Sequence, residues 1–146
     1  MNWRECIIKY GKPTPAFEMQ FMMVWDVPDE IHSQILPLPK KIYLNRDMVY
    51  PLKNALLKII ISGLADDITE YGGIFNIRYQ RNSYPPVYSM HSWGIAIDIN
   101  MHNNQMGYTP SLNPLLVECF TKNGFDWGGD WAKPRTDGMH FQLSKI

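Results

Sequence analysis

The chain has few cysteines, no excess of charge of either sign and no long apolar run, and each shortage excludes a class of protein. Its two cysteines, Cys6 and Cys119, are too few and too far apart in sequence for a disulfide framework. The 14 basic and 14 acidic residues give a net charge of zero, so the basic surface of a nucleic-acid-binding protein is not expected. No apolar run approaches the roughly 18 residues that a membrane-spanning helix needs, so no integral membrane association is expected.

The N-terminal sequence MNWRECIIKYGKPTP also lacks the apolar core and the small-residue cleavage site of a secretory signal. We therefore expect synthesis in the cytoplasm and, for any action outside it, a separate release or carrier protein. The length of 146 residues and the 45% hydrophobic content are sufficient for one domain with its own core. We expect a single domain over residues 1–146.

Two helices are predicted. In Leu52–Tyr71, apolar residues recur at steps of three and four, and Gly72 and Gly73 follow where a left-handed cap favours glycine. The second helix is predicted to begin at Pro114, with Asn113 as its N-cap, and to end near Asn123 and Gly124. Its expected inward-facing residues are Leu115, Leu116, Cys119 and Phe120.

Three strands are predicted, at Ile74–Arg78, Gly94–Asn100 and Met139–Leu143. Residues 1–50 contain several prolines, so loops with short strands, for example around Lys41–Leu44, are expected there. Helices and strands do not alternate regularly. The fold class predicted is therefore α+β, with a small, mostly antiparallel sheet packed against two or more helices.

The stretch SMHSWGIAIDIN, residues 89–100, places two candidate metal ligands in an apolar segment. In a strand that begins at Gly94, the isoleucines face one side while Asp98 faces the other. His91 is seven positions before Asp98, so a straight strand would direct the two side chains to opposite faces. A turn at HSWG, aided by Gly94, would bring the imidazole to the carboxylate.

A second histidine occupies the strand predicted near the C-terminus. His140 alternates with apolar neighbours in Met139–Leu143 and so faces away from the core side of its strand. Together with His91 and Asp98 it gives two nitrogens and one oxygen, a zinc set with a fourth position open for water. Asp137, three residues before His140, is placed to accept a proton from that water.

These residues carry a family resemblance. SMHSWGIAID resembles the S-x-H-x-x-G-x-A-x-D signature of the zinc peptidases that include D-alanyl-D-alanine carboxypeptidases, D-Ala-D-Ala dipeptidases and phage L-alanyl-D-glutamate endolysins. The closing DGMHFQL resembles the family's (E/D)-x-x-H element, and WGGDW is similar to the endolysin branch. The resemblance spans about residues 50–146 and implies the fold that the family shares with the hedgehog signalling domain. Residues 1–50 keep an uncertain role.

Residue by residue, the resemblance implies zinc ligands at His91, Asp98 and His140 and a general base at Asp137. It also implies an oxyanion-stabilising arginine at Arg78, although Arg81 is close enough in sequence to leave that assignment open. Ser89 matches the motif serine, which can hydrogen-bond substrate, and Trp131 is expected to form a wall of the cleft. Arg81, Ser89 and Trp131 are thus the candidate substrate-binding residues.

The function implied is that of a zinc peptidase acting on the peptidoglycan stem peptide, either a D-Ala-D-Ala carboxypeptidase or an L-Ala-D-Glu endopeptidase of the phage endolysin type. It would reach the cell wall after release or as part of a phage particle. Two alternatives stay open. One is a non-catalytic, zinc-stabilised binding domain of the hedgehog-like fold. The other is a cysteine hydrolase built on Cys119, which would be sensitive to thiol alkylation and indifferent to chelators.

Overall fold

A computed structural model describes residues 1–145. At the centre of the fold lies a four-stranded antiparallel sheet. Its strands, in spatial order, are β3 (Tyr71–Gly73), β4 (Ala96–Ile99), β6 (His140–Leu143) and β5 (Phe125–Trp127). In the pairing of β4 with β6, Asp98 lies opposite His140. The sheet itself therefore places two of the three candidate ligands side by side.

The first 45 residues form three short helices and a hairpin. These are α1 (Trp3–Tyr10), α2 (Pro15–Phe21), β1 (Met22–Asp26), α3 (Asp29–His32) and β2 (Lys41–Asn45), and the two strands pair antiparallel. The strand expected near Lys41–Leu44 is confirmed, but the expectation that loops dominate here is wrong. Asn2 and Glu5 form a capping box for α1. Pro15 occupies the first turn of α2, where the amide hydrogen that proline lacks would have no partner within the helix.

The long helix lies earlier in the chain than its apolar pattern indicates. Helix α4 spans Arg46–Ile61 because the Asn45 side chain caps it, and Gly63 ends it in the left-handed region at φ 74°. The prediction that Gly72 and Gly73 cap this helix is wrong, since both belong to β3. A Cβ at Gly72 would lie 3.0 Å from the Asp98 Cβ, so glycine there permits close pairing beside Asp98.

Helix α5 (Pro114–Thr121) confirms the second predicted helix, with Asn113 as its N-cap. The expected burial holds for Leu116, Cys119 and Phe120, whereas Leu115 is 60% exposed and its predicted inward orientation is wrong. Eight residues complete only about two turns, and Val117 takes the inward position instead.

The predicted strand at Ile74–Arg78 is also wrong. The main chain of this segment instead bonds to the turn that carries His91, where the amide of Asn76 donates to the His91 carbonyl at 3.1 Å. The other two predicted strands are confirmed as β4 and β6. The architecture of residues 1–145 is therefore α+β, with two small antiparallel sheets and five α-helices.

One buried cluster includes side chains from residues 1–50 and from the rest of the chain. Ile95, Ile97 and Ile99 lie in this cluster, as the alternation in β4 predicts. Helix α4 contributes the apolar residues Leu52, Ala55, Leu56 and Ile59. Within residues 1–145, no helix is long and apolar enough to cross a membrane.

Candidate metal centre and active-site cleft

A short 3₁₀ turn at Met90–Trp93 carries His91 to Asp98. Ser89 caps the turn by accepting a hydrogen bond from the His91 amide at 3.3 Å, and Gly94 reverses the chain at φ 66°. A Cβ at Gly94 would lie 2.9 Å from the main-chain nitrogen of Asn45, so the tight packing requires glycine as well. The turn predicted before β4 is confirmed, and His91 Nε2 lies 3.2 Å from Asp98 Oδ2.

His140 approaches the same carboxylate from the neighbouring strand. Its Nδ1 lies 3.2 Å from Asp98 Oδ1, and the two imidazole rings meet edge to face with centroids 5.0 Å apart. One ligand atom from each of His91, Asp98 and His140 lies within 4.8 Å of the other two. The fold thus brings together all three ligands that the sequence predicts.

A main-chain carbonyl fixes the tautomer of His91. The ring Nδ1 lies 2.8 Å from the carbonyl oxygen of Ile74, and because a carbonyl can only accept, Nδ1 must carry the proton. In the neutral ring, Nε2 then presents a lone pair toward Asp98. That buried Nε2 has no hydrogen-bond partner although Asp98 Oδ2 is 3.2 Å away, because a lone pair and a carboxylate oxygen are both acceptors.

Gln142 fixes the tautomer of His140 through its opposite nitrogen. The Gln142 side-chain nitrogen donates to the carbonyl oxygen of Met1 at 2.8 Å, which orients the amide oxygen toward His140 Nε2 at 2.9 Å. The Nε2–H therefore donates to Gln142, and Nδ1 faces Asp98, with a lone pair when the ring is neutral and with a proton to donate when the ring is charged. Hydrogen bonds of this kind orient metal-binding histidines. Nothing in the sequence motif indicates that Met1 takes part.

The electrostatics of the cluster favour an ionised carboxylate. Burial raises the pKa of Asp98, but the adjacent imidazoles of His140 and His91 outweigh burial and hold that pKa well below its usual range. Burial lowers the pKa of His140, whereas the hydrogen bond and charge of Asp98 raise it more, so the net shift is upward. A carboxylate flanked by two imidazole lone pairs is a donor set that a divalent metal ion completes.

Asp137 lies on the loop that enters β6, and the WGGDW segment supports that loop. The Asp137 amide donates to the Gly128 carbonyl at 2.8 Å, and its carbonyl accepts from the His140 amide at 3.1 Å. A Cβ at Gly128 would lie 2.5 Å from the Asp137 carbonyl oxygen. Trp127 Nε1 also donates to the carbonyl of Gly138 at 2.8 Å. Gly128 therefore lets the loop lie close enough to orient Asp137.

The Asp137 carboxyl is buried and its Oδ1 has no hydrogen-bond partner. Burial is the main cause that raises its pKa, and the charge of Asp98 acts in the same direction. His140, His91 and Arg81 oppose this effect without reversing it. A carboxyl whose pKa is shifted toward neutrality can exchange protons with a reacting group.

Two of the three candidate ligands, Asp98 and His140, line a cleft of about 710 Å³ together with Asp137. The lining includes the predicted residues Arg78, Arg81, Ser89, Asp98, Trp131, Asp137 and His140. His91 lies beneath the surface of the cleft and is 2% exposed. The Trp131 ring lies 5.4 Å from the His140 ring, centroid to centroid, and so forms a wall beside the candidate ligands.

The main chain of Arg78 is attached to the turn that carries His91. Its carbonyl accepts from the Ser89 amide and from Ser92 Oγ, both at 2.9 Å, and its amide donates to Ser92 Oγ at 3.1 Å. Ser92 is fully buried, and sequence analysis did not single it out. The signal available was its place inside the motif, between the first ligand and Gly94.

The other two histidines and both cysteines lie outside the centre. His32 ends α3, and His102 is exposed, so neither joins the three ligands. Cys6 and Cys119 are buried free thiols, and burial raises the pKa of Cys6 to about 12. Neither cysteine is among the residues that line the cleft.

Comparison with known proteins agrees with this geometry. The family model described as D-alanyl-D-alanine carboxypeptidase matches residues 83–143, the segment that contains His91, Asp98, Asp137 and His140. No curated protein and no solved structure matches the chain. Residues 83–143 are therefore similar to the D-alanyl-D-alanine carboxypeptidase family of peptidases, and this segment contains the candidate ligand geometry.

Proposed function

We propose that the chain is a zinc-dependent peptidase that hydrolyses an amide bond of the peptidoglycan stem peptide. One observation carries the proposal. Within residues 1–145, the buried side-chain polar atoms without a hydrogen-bond partner are His91 Nε2 and Asp137 Oδ1. An unpartnered buried polar atom costs about 1–3 kcal/mol, so both atoms favour a ligand: a metal ion for the first and a proton donor such as water for the second.

The donor set fits zinc. Zn²⁺ binds imidazole nitrogen and carboxylate oxygen, and three protein ligands leave a position open for catalysis. His91, Asp98 and His140 would hold the ion. When bound there, zinc supplies polarisation of the scissile carbonyl and lowers the pKa of a coordinated water.

Asp137 is the group in this chain suited to move the proton. Its carboxylate would accept a proton from the attacking water and then donate it to the nitrogen of the leaving amine. Its raised pKa favours the first transfer, because a carboxylate of ordinary pKa is a weaker base and would accept the proton less readily.

Arg78 would stabilise the carbonyl oxygen as that oxygen gains negative charge. Its main chain is held by Ser89 and Ser92, and its side chain lines the cleft. A guanidinium keeps its charge and offers several donors. Arg81, whose charge acts on the Asp137 carboxyl, would share the neighbourhood of the reaction. Ser89 and Trp131 would contact the peptide.

The proposed substrate, a cell-wall peptide, goes beyond the family match. Cleavage of D-Ala-D-Ala and cleavage of L-Ala-D-Glu are the two candidate reactions, the latter in a phage enzyme released at lysis or carried on a particle. Mass spectrometry of the products from a defined stem peptide distinguishes them, because each reaction releases fragments of different mass.

The test is hydrolysis of that peptide by the full chain before and after zinc removal. We expect cleavage that stops with a chelator and returns when zinc is added back. Cleavage that survives complete zinc removal contradicts the mechanism. A protein that binds zinc in an equimolar amount but cleaves neither the peptide nor cell walls is instead a zinc-stabilised binding domain.

A further inference from the structure

The cleft is lined by arginines rather than by lysines in residues 1–145. The chain contains five arginines and nine lysines. Four of the arginines, Arg4, Arg78, Arg81 and Arg135, line the cleft, and within residues 1–145 no lysine does. Among residues 1–145, the carboxylates in the lining are Asp98 and Asp137, which belong to the proposed reaction centre. Apart from the Met1 amino group, which pairs with Asp126, the remaining charge of the lining is therefore guanidinium.

None of these guanidinium groups is neutralised by an acidic side chain. Among residues 1–145, the ion pairs involve lysines, histidines or the Met1 nitrogen and no arginine. Arg78 makes one long contact of 3.5 Å to the Tyr79 carbonyl, and Arg135 one of 3.5 Å to Gln80 Oε1. Most of their N–H donors are thus available to a ligand.

The presence of arginine rather than lysine narrows the chemical class of ligand that the cleft can recognise. Either residue would create a positive potential, but the planar fork of arginine matches a carboxylate through two parallel hydrogen bonds. Several arginines at one cleft that also holds a peptidase centre indicate a peptide with more than one carboxylate. Arg78 and Arg81 lie with the proposed reaction centre, which leaves Arg4 and Arg135 without a role in the chemistry.

Arg4 is held on a rigid element outside the segment that matches the family. Its guanidinium carbon lies 5.2 Å from the centre of the Trp3 ring, and that ring packs against the core. Helix α1 is fixed beside the metal-binding turn by the Cys6–Met90 sulfur contact at 3.6 Å and by the bond from Trp93 Nε1 to the Gly11 carbonyl at 2.9 Å. The stacked guanidinium is therefore restricted in its motion before any ligand binds.

We infer that the cleft selects peptides that carry at least two free carboxylates, and that Arg4 and Arg135 bind carboxylates away from the scissile bond. The inference rests on the proposed function for the peptide nature of the ligand. It gives the N-terminal helix a direct role in substrate selection and makes Arg4 and Arg135 specificity-determining residues.

The test measures binding rather than turnover. The full chain with Asp137→Asn, loaded with zinc to hold the peptide uncleaved, is titrated with two probes. One is a stem peptide that contains D-Glu and ends in D-Ala-D-Ala, and the other is the same peptide with its carboxylates converted to amides. Arg4→Gln and Arg135→Gln are added singly and together. Arg46→Gln, the arginine outside the cleft, makes the same change of charge and serves as the control.

For the peptide with free carboxylates we expect Kd to rise roughly two- to fivefold for each cleft variant and roughly tenfold for the pair. We expect Arg46→Gln to leave Kd unchanged. The amidated peptide should bind weakly and equally to every protein, because it removes the partner of the guanidinium groups. Higher salt should weaken only the first peptide.

Equal losses for both peptides, losses as large in Arg46→Gln, or no binding of the free carboxylate peptide overturn the inference. Failure of the proposed function has a different signature, namely no hydrolysis by the wild-type chain while the carboxylate-dependent difference in Kd persists. If hydrolysis occurs, Arg4→Gln should raise KM for the free peptide and leave kcat unchanged.

Discussion

The two candidate histidine ligands present different ring nitrogens to the same carboxylate. His91 presents Nε2 because its Nδ1–H donates to the Ile74 carbonyl, whereas His140 presents Nδ1 because its Nε2–H donates to Gln142. A sequence motif gives the identity of a ligand but not its tautomer, which depends on a partner supplied by another part of the chain. Gln142 is thus a positioning residue at the centre.

Replacing Gln142 should weaken metal binding without unfolding the protein. In Gln142→Leu the Nε2–H of His140 loses its acceptor, so the productive tautomer is no longer favoured, and we expect zinc affinity to fall about 10- to 100-fold. Competition with a chromophoric chelator measures this change. Gln142→Glu retains an acceptor and should recover most of the affinity. Equal affinity in Gln142→Leu and wild type, with both folded by circular dichroism, would contradict the assigned role.

Asp137 should be separable from the ligands by substitution. Asp137→Asn keeps the shape of the side chain but cannot accept the proton, so kcat should fall about 10²- to 10⁴-fold. Zinc content, measured by atomic emission, should stay equimolar with protein. Asp130→Asn makes the same chemical change at an exposed position of the neighbouring turn and should have no effect on either quantity. Loss of zinc in Asp137→Asn would instead identify Asp137 as a ligand.

Among the structural elements, the strands that carry the site were predictable and the segments that support it were not. Alternation in β4 gave the orientation of Asp98 because one face of the strand is buried, and the odd spacing to His91 required a turn. Ile74–Arg78 has the composition of a strand, yet its backbone bonds to the His91 turn instead. Composition alone cannot tell whether this backbone bonds to a neighbouring strand or to a turn, because both offer partners to its N–H and C=O groups.

Replacing Gly128 tests whether the turn that contains it orients Asp137, the proposed base. Gly128→Ala places a methyl group where the Asp137 carbonyl now lies, so the loop must move, at a cost of about 1–3 kcal/mol in stability. We expect kcat to fall more than zinc affinity does. Gly63→Ala introduces backbone strain at φ 74° with no neighbour within 4 Å, and it controls for lost stability alone. Wild-type kcat in Gly128→Ala would show that the contact does not orient Asp137.

On the scale of the whole molecule, residues 1–50 and the motif-bearing part contribute to one core and to one cleft. The Met1 carbonyl accepts a hydrogen bond from the Gln142 side chain, and α1 forms part of the cleft wall. Sequence analysis left this part without a role because its contribution comes from backbone position and packing, which no short motif records. Zinc binding and global stability should therefore be linked, since the ligands come together only in the folded chain.

The stabilisation of the folded chain by zinc should depend on pH in a definite direction. Without metal, the raised pKa of His140 stabilises the folded state below the ordinary histidine pKa of 6.5, and this contribution is lost as pH rises through the folded value. Zinc acts in the opposite direction because it requires deprotonated ligands and competes with the proton on His140. The rise in Tm caused by zinc should therefore be small near pH 6 and should increase toward pH 8.

Thermal unfolding at fixed zinc concentration, measured across this pH range, checks the prediction. His140→Ala should abolish the zinc-dependent shift in Tm at every pH because one of the three donors is gone. His32→Gln removes a histidine outside the centre and should keep the wild-type profile. A shift in Tm that is independent of pH, or one that persists in His140→Ala, would mean that zinc stabilises the fold from another set of ligands.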